Sequence, residues 1–179
     1  MSEKIVVLSG SPRKEGNTER LAAAFIDGAK SAGKDVVMFR AADMDIGGCL
    51  GCCHCFEEKG VCAQDDDMTE VLDALRTADA LVLVSPVYYF DMTAQLKLAI
   101  DRTFALLSVG TPIKKAALLM TCGDDSKKAA DGAVATYKDI CSYSKWADAG
   151  VIIAAGLHNP GEIDGREELE TAKTLGREM

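Results

Sequence analysis

The chain has 179 residues, of which 48% are hydrophobic and 27% are charged, a composition typical of a soluble globular protein with one well-packed core. Its formal net charge of −8 argues against a nucleic-acid partner, because binding to phosphates requires clustered Lys and Arg. No segment reaches the roughly 18 consecutive apolar residues of a membrane helix, and the N-terminal apolar run is too short for a signal peptide. We therefore expect a cytoplasmic protein with no membrane partner.

Five short apolar runs alternate with helical patterns along the chain. The runs are continuous and rich in β-branched residues, as buried parallel strands are; they cover residues 4–10, 35–40, 80–86, 115–123 and 150–156. Apolar spacing predicts helices over residues 17–32, 67–78, 93–107, 125–148 and 164–178. This alternation predicts an α/β fold with a doubly wound, flavodoxin-like, five-stranded parallel sheet of order 2-1-3-4-5 between two helical layers. We expect one domain over residues 1–179, with a cysteine-rich insertion at about 47–66.

The loop after the first strand, SGSPRKEGNTER, has the features of a phosphate site. Ser9, Ser11 and Thr18 supply hydroxyl groups, and the loop ends where a helix begins, so that free backbone N–H groups face an anion. The loop matches neither the Walker pattern nor the G-x-G-x-x-G dinucleotide pattern. It therefore suits a phosphate monoester, and a plain Gly/Ser turn is the alternative.

The loop after the third strand contains three consecutive aromatic residues, Tyr88, Tyr89 and Phe90. Three such rings are difficult to bury together, so at least one is expected to offer a flat surface for a ring to stack on. Packing on helix 93–107 or at a dimer interface is the alternative. In a doubly wound fold the first and third loops meet at the same point of the sheet, and a phosphate site beside a ring platform predicts a mononucleotide.

The segments GSPRKEGNT, SPVYYFDMTAQLK and the C-terminal GLHNPGEIDG resemble the NADPH-dependent FMN reductase and iron–sulfur flavoprotein group of the flavodoxin-like superfamily. The resemblance extends over nearly the whole chain and implies FMN as cofactor and NAD(P)H as co-substrate. No side chain is expected to act as general acid or base, because the flavin carries the chemistry. The implied FMN-binding residues are Ser9, Ser11, Pro12, Arg13, Asn17 and Thr18 at the phosphate, Pro86, Val87, Tyr88, Tyr89 and Phe90 along the ring, and Thr121 and Gly123 on its other side.

Five of the seven cysteines lie within residues 49–62, as Cys49-x2-Cys52-x2-Cys55-x6-Cys62 with Cys53 between them. A disulfide framework is disfavoured because cytosolic thiols are kept reduced. Structural zinc sites usually use two pairs separated by a dozen or more residues. Successive x2 gaps are instead similar to the ferredoxin-type run, although the last gap is longer here and no proline follows.

The resemblance to the iron–sulfur flavoproteins implies that Cys49, Cys52, Cys55 and Cys62 bind a 4Fe–4S cluster, which a protein handled in air can lack. A cluster-free structural cap is one alternative, since buried cysteine is a good small hydrophobe. Redox chemistry of the thiols in residues 52–55 is another. Cys53 and His54 receive no role, Cys122 and Cys141 are expected in the core, and His158 is expected at the surface.

These features predict an FMN-dependent oxidoreductase or electron-transfer flavoprotein, with NAD(P)H as donor and a 4Fe–4S cluster as second redox centre. Its partners would be a quinone, a flavin or a ferredoxin-like protein, and we expect a homodimer or homotetramer. Two alternatives keep FMN: a cluster-free NAD(P)H-dependent FMN or quinone reductase, and a non-enzymatic flavodoxin-like electron carrier. A flavin-free zinc-binding regulator is a third alternative.

Overall fold

The computed structural model describes residues 2–179. Within that range the strands are β1 (Lys4–Ser9), β2 (Asp35–Arg40), β3 (Ala80–Pro86), β4 (Lys115–Thr121) and β5 (Ala147–Ala154). The α-helices are α1 (Asn17–Ser31), α2 (His54–Glu57), α3 (Met68–Leu75), α4 (Ala94–Arg102), α5 (Asp131–Ser144) and α6 (Glu167–Glu178). Short 3-10 helices cover Ala41–Asp43, Thr103–Ser108 and Lys127–Ala130.

The strands form one parallel sheet in the order β2-β1-β3-β4-β5, which confirms the predicted flavodoxin-like fold. Alternate residues of each strand point to opposite faces, and both faces are covered. Val6 and Leu8 of β1 pack in the cluster that includes α3, α4 and α5. Ile5 and Val7 pack in the cluster formed with α1 and α6. Burial on both faces explains why the three central strands, β1, β3 and β4, are apolar at nearly every position.

The predicted boundary between the fifth helix and the fifth strand was wrong. The helix, expected to reach residue 148, ends at Ser144, because Lys145 adopts a left-handed conformation with φ of 59°. Such a residue ends a helix by turning the chain away from its axis. β5 then begins at Ala147, three residues before the predicted start, and Ala147 pairs with Lys115 of β4.

The predicted helix 93–107 divides into two parts. Thr93 caps α4 by accepting a hydrogen bond from the backbone N–H of Leu96, and its own hydroxyl donates to the Gly10 carbonyl at 2.9 Å. Beyond Arg102 the chain continues as the 3-10 helix Thr103–Ser108. No helix among residues 2–179 is long and apolar enough to cross a membrane.

Candidate flavin site and cysteine loop

The carboxyl ends of β1, β3 and β4 lie side by side, and their loops enclose a cavity of about 230 Å³ that opens to solvent. Ligands of open parallel sheets bind at this edge, beyond the carboxyl ends of the strands. Four chain segments supply the wall: the first, third and fourth loops and the loop after β5. The lining residues are Ser11, Arg13, Gly16, Asn17, Thr18, Pro86, Val87, Tyr88, Thr121, Cys122, Gly123, Leu157, His158 and Pro160.

Helix α1 starts on the wall of this cavity with its N-terminus open. Gly16 is the N-cap residue, and no side chain within residues 2–179 makes a capping hydrogen bond there. This end of the cavity wall also includes Ser11, whose hydroxyl donates to the Arg13 carbonyl at 3.3 Å, and the exposed residue Arg13. Free N–H groups with the positive end of the helix dipole favour an anion, so this end fits a phosphate group.

Two predicted residues of the first loop do not line the cavity. Ser9 is fully buried behind the loop, where its hydroxyl donates to Glu19 at 2.9 Å. Glu19 in turn pairs with Arg40 at the end of β2. Pro12 is exposed and lies outside the cavity. In this structure Ser9 supports the loop from behind instead of facing a ligand.

Asn17 lines the cavity, but its side chain is already engaged by the loop after β5. Its amide donates to the Asn159 carbonyl at 2.8 Å, and its Oδ1 accepts from the N–H groups of Gly161 at 2.9 Å and Ile163 at 3.3 Å. The same loop carries Leu157, His158 and Pro160 to the cavity wall. The structure thus gives Asn17 a positioning role, in holding the last loop against the first.

Thr18 and Thr121 join the first loop to the fourth. Both side chains are buried, and their hydroxyl oxygens lie 2.6 Å apart, so one donates to the other. The bond connects the first turn of α1 to the end of β4. Because both residues line the cavity, this bond fixes the relative position of two of its walls.

The third loop divides into a part that lines the cavity and a part that lies outside its lining. Pro86, Val87 and Tyr88 line the cavity. Tyr89 and Phe90 are 97% and 66% exposed and form the centre of a two-residue turn, with φ of 50° and 70°. The turn is closed by Tyr88 and Asp91, whose N–H groups and carbonyls bond reciprocally at 2.9 and 3.3 Å.

Nine of the thirteen predicted FMN residues line the cavity. Whether they bind FMN stays a prediction.

The cavity also contains residues that the prediction left out of its FMN set. The wall includes Gly16 and Cys122, and three residues of the loop after β5, Leu157, His158 and Pro160. His158 is exposed, as expected for a surface residue, and also faces the cavity, where it packs on Gly123. The GLHNPGEIDG segment was the available signal, because it is the exit loop of a strand in a sheet whose ligands bind at such exits.

The cysteine loop follows β2 and folds over α4. Within residues 2–179 all seven cysteines are free thiols; Cys49, Cys52 and Cys53 are exposed, Cys55 is buried and Cys62 is half-buried. Cys122 and Cys141 are buried, as predicted for core residues. Cys53 has φ of 58° and precedes the short helix α2. Phe56 of α2 packs on Phe104 with ring centroids 5.2 Å apart, which holds the loop on the body of the protein.

The four predicted cluster ligands line one small hollow together with Cys53 and Arg102. Burial raises the pKa of the Cys55 thiol, and the neighbouring Cys62, Cys49 and Cys52 raise it further, while a backbone hydrogen bond acts in the opposite sense. The hollow holds about 20 Å³, the space of one water molecule. Among residues 2–179, no three His, Cys, Asp or Glu side chains are grouped closely enough to hold a single metal ion.

The donor set of the hollow nevertheless suits an anionic sulfur-ligated group. It combines five thiols, among them the four predicted ligands, with a buried guanidinium, and the Nε of Arg102 has no hydrogen-bond partner. Residues 44–53 of the loop form no helix or strand, and Cys49 and Cys52 are exposed. Binding a group larger than one water would thus require this exposed part of the loop to move outward.

Comparison with known proteins places these observations in a family. The sequence profile of the NADPH-dependent FMN reductase family matches residues 3–156. An iron–sulfur flavoprotein of Methanocaldococcus jannaschii is 39% identical over 100 residues, which are 56% of this chain and 51% of that protein. An iron–sulfur flavoprotein of Archaeoglobus fulgidus is 40% identical over 99 residues, 55% of this chain and 44% of that protein. The chain thus spans about half the length of the curated relatives it matches.

Solved structures show the same fold at lower sequence identity. An NAD(P)H:quinone oxidoreductase from Methanothermobacter marburgensis has a TM-score of 0.75 and 21% identity, over 99% of this chain and 96% of that one. An azoreductase from Bacillus anthracis has a TM-score of 0.76 and 18% identity, over 99% of this chain and 100% of that one. These two likenesses concern the fold alone. With the profile match over most of its length, the chain belongs to the NADPH-dependent FMN reductase family.

Proposed function

We propose that this protein is an FMN-dependent oxidoreductase that accepts electrons from NAD(P)H and holds a 4Fe–4S cluster in its cysteine loop. The observation that carries the FMN part is the cavity at the carboxyl edge of the sheet, with the open start of α1 at one end. Membership of the FMN reductase family supports the same cofactor. The names of the curated relatives support the cluster.

Each wall of the cavity has a distinct task in this proposal. Ser11, Arg13 and the first N–H groups of α1 would hold the phosphate, because they combine hydroxyl, cationic and helix-dipole donors. Pro86, Val87 and Tyr88 would lie along the flavin ring and exclude water from it. FMN, when bound, supplies hydride acceptance and one-electron release, and the protein contributes binding and electrostatics.

Cys49, Cys52, Cys55 and Cys62 would be the cluster ligands, because they line one hollow and thiolates are the usual ligands of such clusters. With a cluster, the protein could pass electrons from a two-electron donor to one-electron carriers. The small volume of the hollow, about 20 Å³, favours a second candidate: a cluster-free NAD(P)H-dependent FMN or quinone reductase, with the cysteine loop as a cap.

The first test is an absorption spectrum of protein purified under strict anaerobiosis, together with iron and acid-labile sulfide assays. The proposal predicts flavin bands, broad absorption in the blue–violet, and about four iron and four sulfide per chain. Flavin bands without iron, and with all thiols free, would establish the cluster-free reductase. A protein without flavin but with stoichiometric zinc would contradict the proposal entirely.

The electron donor is tested separately by adding NADPH or NADH to the flavin-bound protein without any other protein. Rapid bleaching of the flavin absorption is expected for an enzyme that uses a nicotinamide donor. Bleaching only by a reduced ferredoxin-like protein would instead identify an electron carrier. Reoxidation by a quinone or by free flavin would then define the class of acceptor.

A homodimer or homotetramer also belongs to the proposal. Three large apolar side chains of the 3-10 helix after α4 and of α5 are exposed and line one open groove: Phe104, Leu107 and Tyr143. An exposed apolar surface of this kind is commonly covered by a protein partner, and a second copy would bury it. Light scattering on the eluting protein gives the mass, and a monomer across micromolar concentrations would contradict this part.

A further inference from the structure

Arg102, the last residue of α4, is a buried arginine that bonds both ends of the cysteine loop. The side chain is only 1% exposed. Its guanidinium donates to the Gly47 carbonyl at 2.9 Å, just before the first cysteine. It also donates in a bidentate manner to the Asp66 carboxylate, at 2.7 and 2.9 Å, four residues after Cys62. Arg102 therefore has a fixed position relative to the loop between Gly47 and Asp66.

One donor of this guanidinium is unused. Within residues 2–179, the Nε of Arg102 is the one buried side-chain nitrogen or oxygen atom without a hydrogen-bond partner. Leaving a buried donor unpaired is unfavourable, and more so when the group is charged. Such an atom in an otherwise satisfied interior is expected to have a partner that the protein chain does not supply.

The cysteine hollow is the place where that partner would lie. Arg102 forms part of its wall, together with Cys62 and the other cysteines of the loop. The guanidinium stays cationic, because arginine does not lose its proton in proteins, and its bidentate bond to Asp66 holds it in place. Among the residues that line the hollow, Arg102 carries the only positive charge.

We propose that Arg102 is a positioning residue that supplies the counter-charge of the cysteine hollow and directs its free N–H toward the anionic sulfur-ligated group held there. This inference rests on the proposed cluster function. A group bound by four thiolates is negative and becomes more negative when it gains an electron. A fixed cation in a buried, low-dielectric site favours the more negative state, so Arg102 raises the reduction potential of the bound group.

Four variants test this inference by redox titration of the reconstituted, anaerobic protein, with iron and sulfide measured on each sample. Arg102→Gln removes the charge, and we expect at least a tenfold loss in the reduction equilibrium constant, which is a shift of about 59 mV to more negative potential for one electron. Asp66→Asn removes the neutralising carboxylate but leaves Arg102, and we expect a shift of opposite sign. Arg102→Lys keeps the charge and is expected to stay closer to the wild-type potential.

Arg76→Gln is the matched control. Arg76 also donates to a carbonyl of the cysteine loop, that of Gly60 at 2.8 Å, but it is partly exposed and does not line the hollow. It is expected to leave the potential unchanged. If Arg102→Gln fails to fold, Asp66→Asn and Arg102→Lys still decide the matter, because Asn and Lys keep part of the original hydrogen bonding.

The possible outcomes distinguish a failure of the role of Arg102 from a failure of the proposed cluster. Opposite shifts in Arg102→Gln and Asp66→Asn at equal iron content would support the counter-charge role, since loss of structure alone would move both potentials together or lower the iron content. Equal potentials in all loaded variants would overturn the role of Arg102 and leave the cluster standing. A wild-type protein that binds no iron and sulfide after reconstitution would overturn the cluster and, with it, the role of Arg102.

Discussion

At the scale of single residues, the cavity depends on side chains that join its walls. Asn17 makes three hydrogen bonds to the loop after β5, and Arg20 adds an ion pair to Asp164 in that loop. The ion pair is exposed, so it contributes little. Asn17 is therefore the residue through which the first loop holds His158 and its neighbours on the cavity wall.

We predict that Asn17→Ala weakens FMN binding by about tenfold or more, which is about 1.4 kcal/mol. The loss follows because the last loop is no longer fixed before the ligand binds, and ordering it then opposes binding. Calorimetric titration of flavin-free protein with FMN gives the dissociation constant. Asn159→Ala is the control, since its side chain bonds only to exposed Glu162 and its backbone carbonyl still accepts from Asn17. Equal affinities for Asn17→Ala and wild type would contradict this role.

At the scale of structural elements, the turn Tyr88–Asp91 is held in a conformation that its residues disfavour. Both central residues have positive φ, the pattern of type I′ turns, which strongly prefer Asn-Gly. A bulky side chain in this conformation costs about 1–3 kcal/mol. The strain is tolerated here because the turn is closed by two backbone hydrogen bonds.

Replacing the turn by Tyr89→Asn with Phe90→Gly is predicted to stabilise the protein by about 1–3 kcal/mol. FMN affinity is expected to stay within about twofold of wild type, because neither side chain lines the cavity. Urea unfolding measures the first quantity and calorimetry the second. The variant Tyr89→Ala, which keeps the strain, is the control. A large loss of FMN affinity would show that the aromatic turn contacts the flavin after all.

Helices α1 and α6 pack so closely that glycine is required at their contact. A Cβ on Gly28 would lie 1.9 Å from the Lys173 carbonyl oxygen, and one on Gly176 would lie 2.1 Å from that of Phe25. These atoms are backbone, so they cannot move aside without separating the helices. Each glycine thus allows one helix backbone to touch the other.

Helix propensity alone predicts that Gly28→Ala raises the free energy of unfolding by about 1 kcal/mol. The close packing predicts instead that the added methyl group lowers it by about 1–3 kcal/mol. We expect the packing to decide, so that Gly28→Ala and Gly176→Ala both lower the free energy of unfolding. Gly48→Ala serves as the control, because its added Cβ would meet only Leu98 at 3.4 Å. A stability gain in Gly28→Ala would refute the close contact.

At the scale of the whole molecule, stability depends on buried and paired titratable groups. Glu3, the residue before β1, pairs with Lys34, the residue before β2, at 2.5 Å and with Lys115 of β4 at 2.7 Å. Burial acts to raise the pKa of Glu3, but the hydrogen bonds and charges of the two lysines outweigh it and hold the pKa below its usual 4.5. The pKa values of two buried thiols shift in the opposite direction: burial raises those of Cys122 and Cys141 above 9.0.

These directions fix the pH window of stability. The contribution of Glu3 to the free energy of unfolding is fully present above pH 4.5 and is lost as the pH falls through its lower pKa in the folded state. The contribution of the two buried thiols is fully present below pH 9.0 and is lost as the pH rises through their higher pKa values in the folded state. We predict that urea unfolding of flavin-free protein gives its highest free energy between about pH 5 and pH 9. Glu3→Gln should flatten the acid side and Cys141→Ala the alkaline side; unchanged slopes would contradict the assignment.

The sequence by itself determined the order of the strands and of five of the six α-helices, the sheet topology and three of the four loops that form the cavity. The reason is local: a parallel strand buried on both faces must be apolar along its length, and the crossovers between such strands have one hand. The cysteine spacing is equally local, and together with the resemblance to the iron–sulfur flavoproteins it named four candidate ligands. The end of α5 was missed because a left-handed Lys145 is a choice of backbone conformation that the apolar pattern does not encode.

Only the tertiary structure decided which side chains reach the cavity and which support it. Ser9 and Asn17 have the chemistry of phosphate ligands, yet their partners are Glu19, ten residues away, and the loop around Asn159, 142 residues away. Arg102 is 36 residues from Asp66 and 55 from Gly47, so no local pattern marks it. Contacts between distant residues depend on how the helices pack on the sheet, and that packing is set by the whole chain.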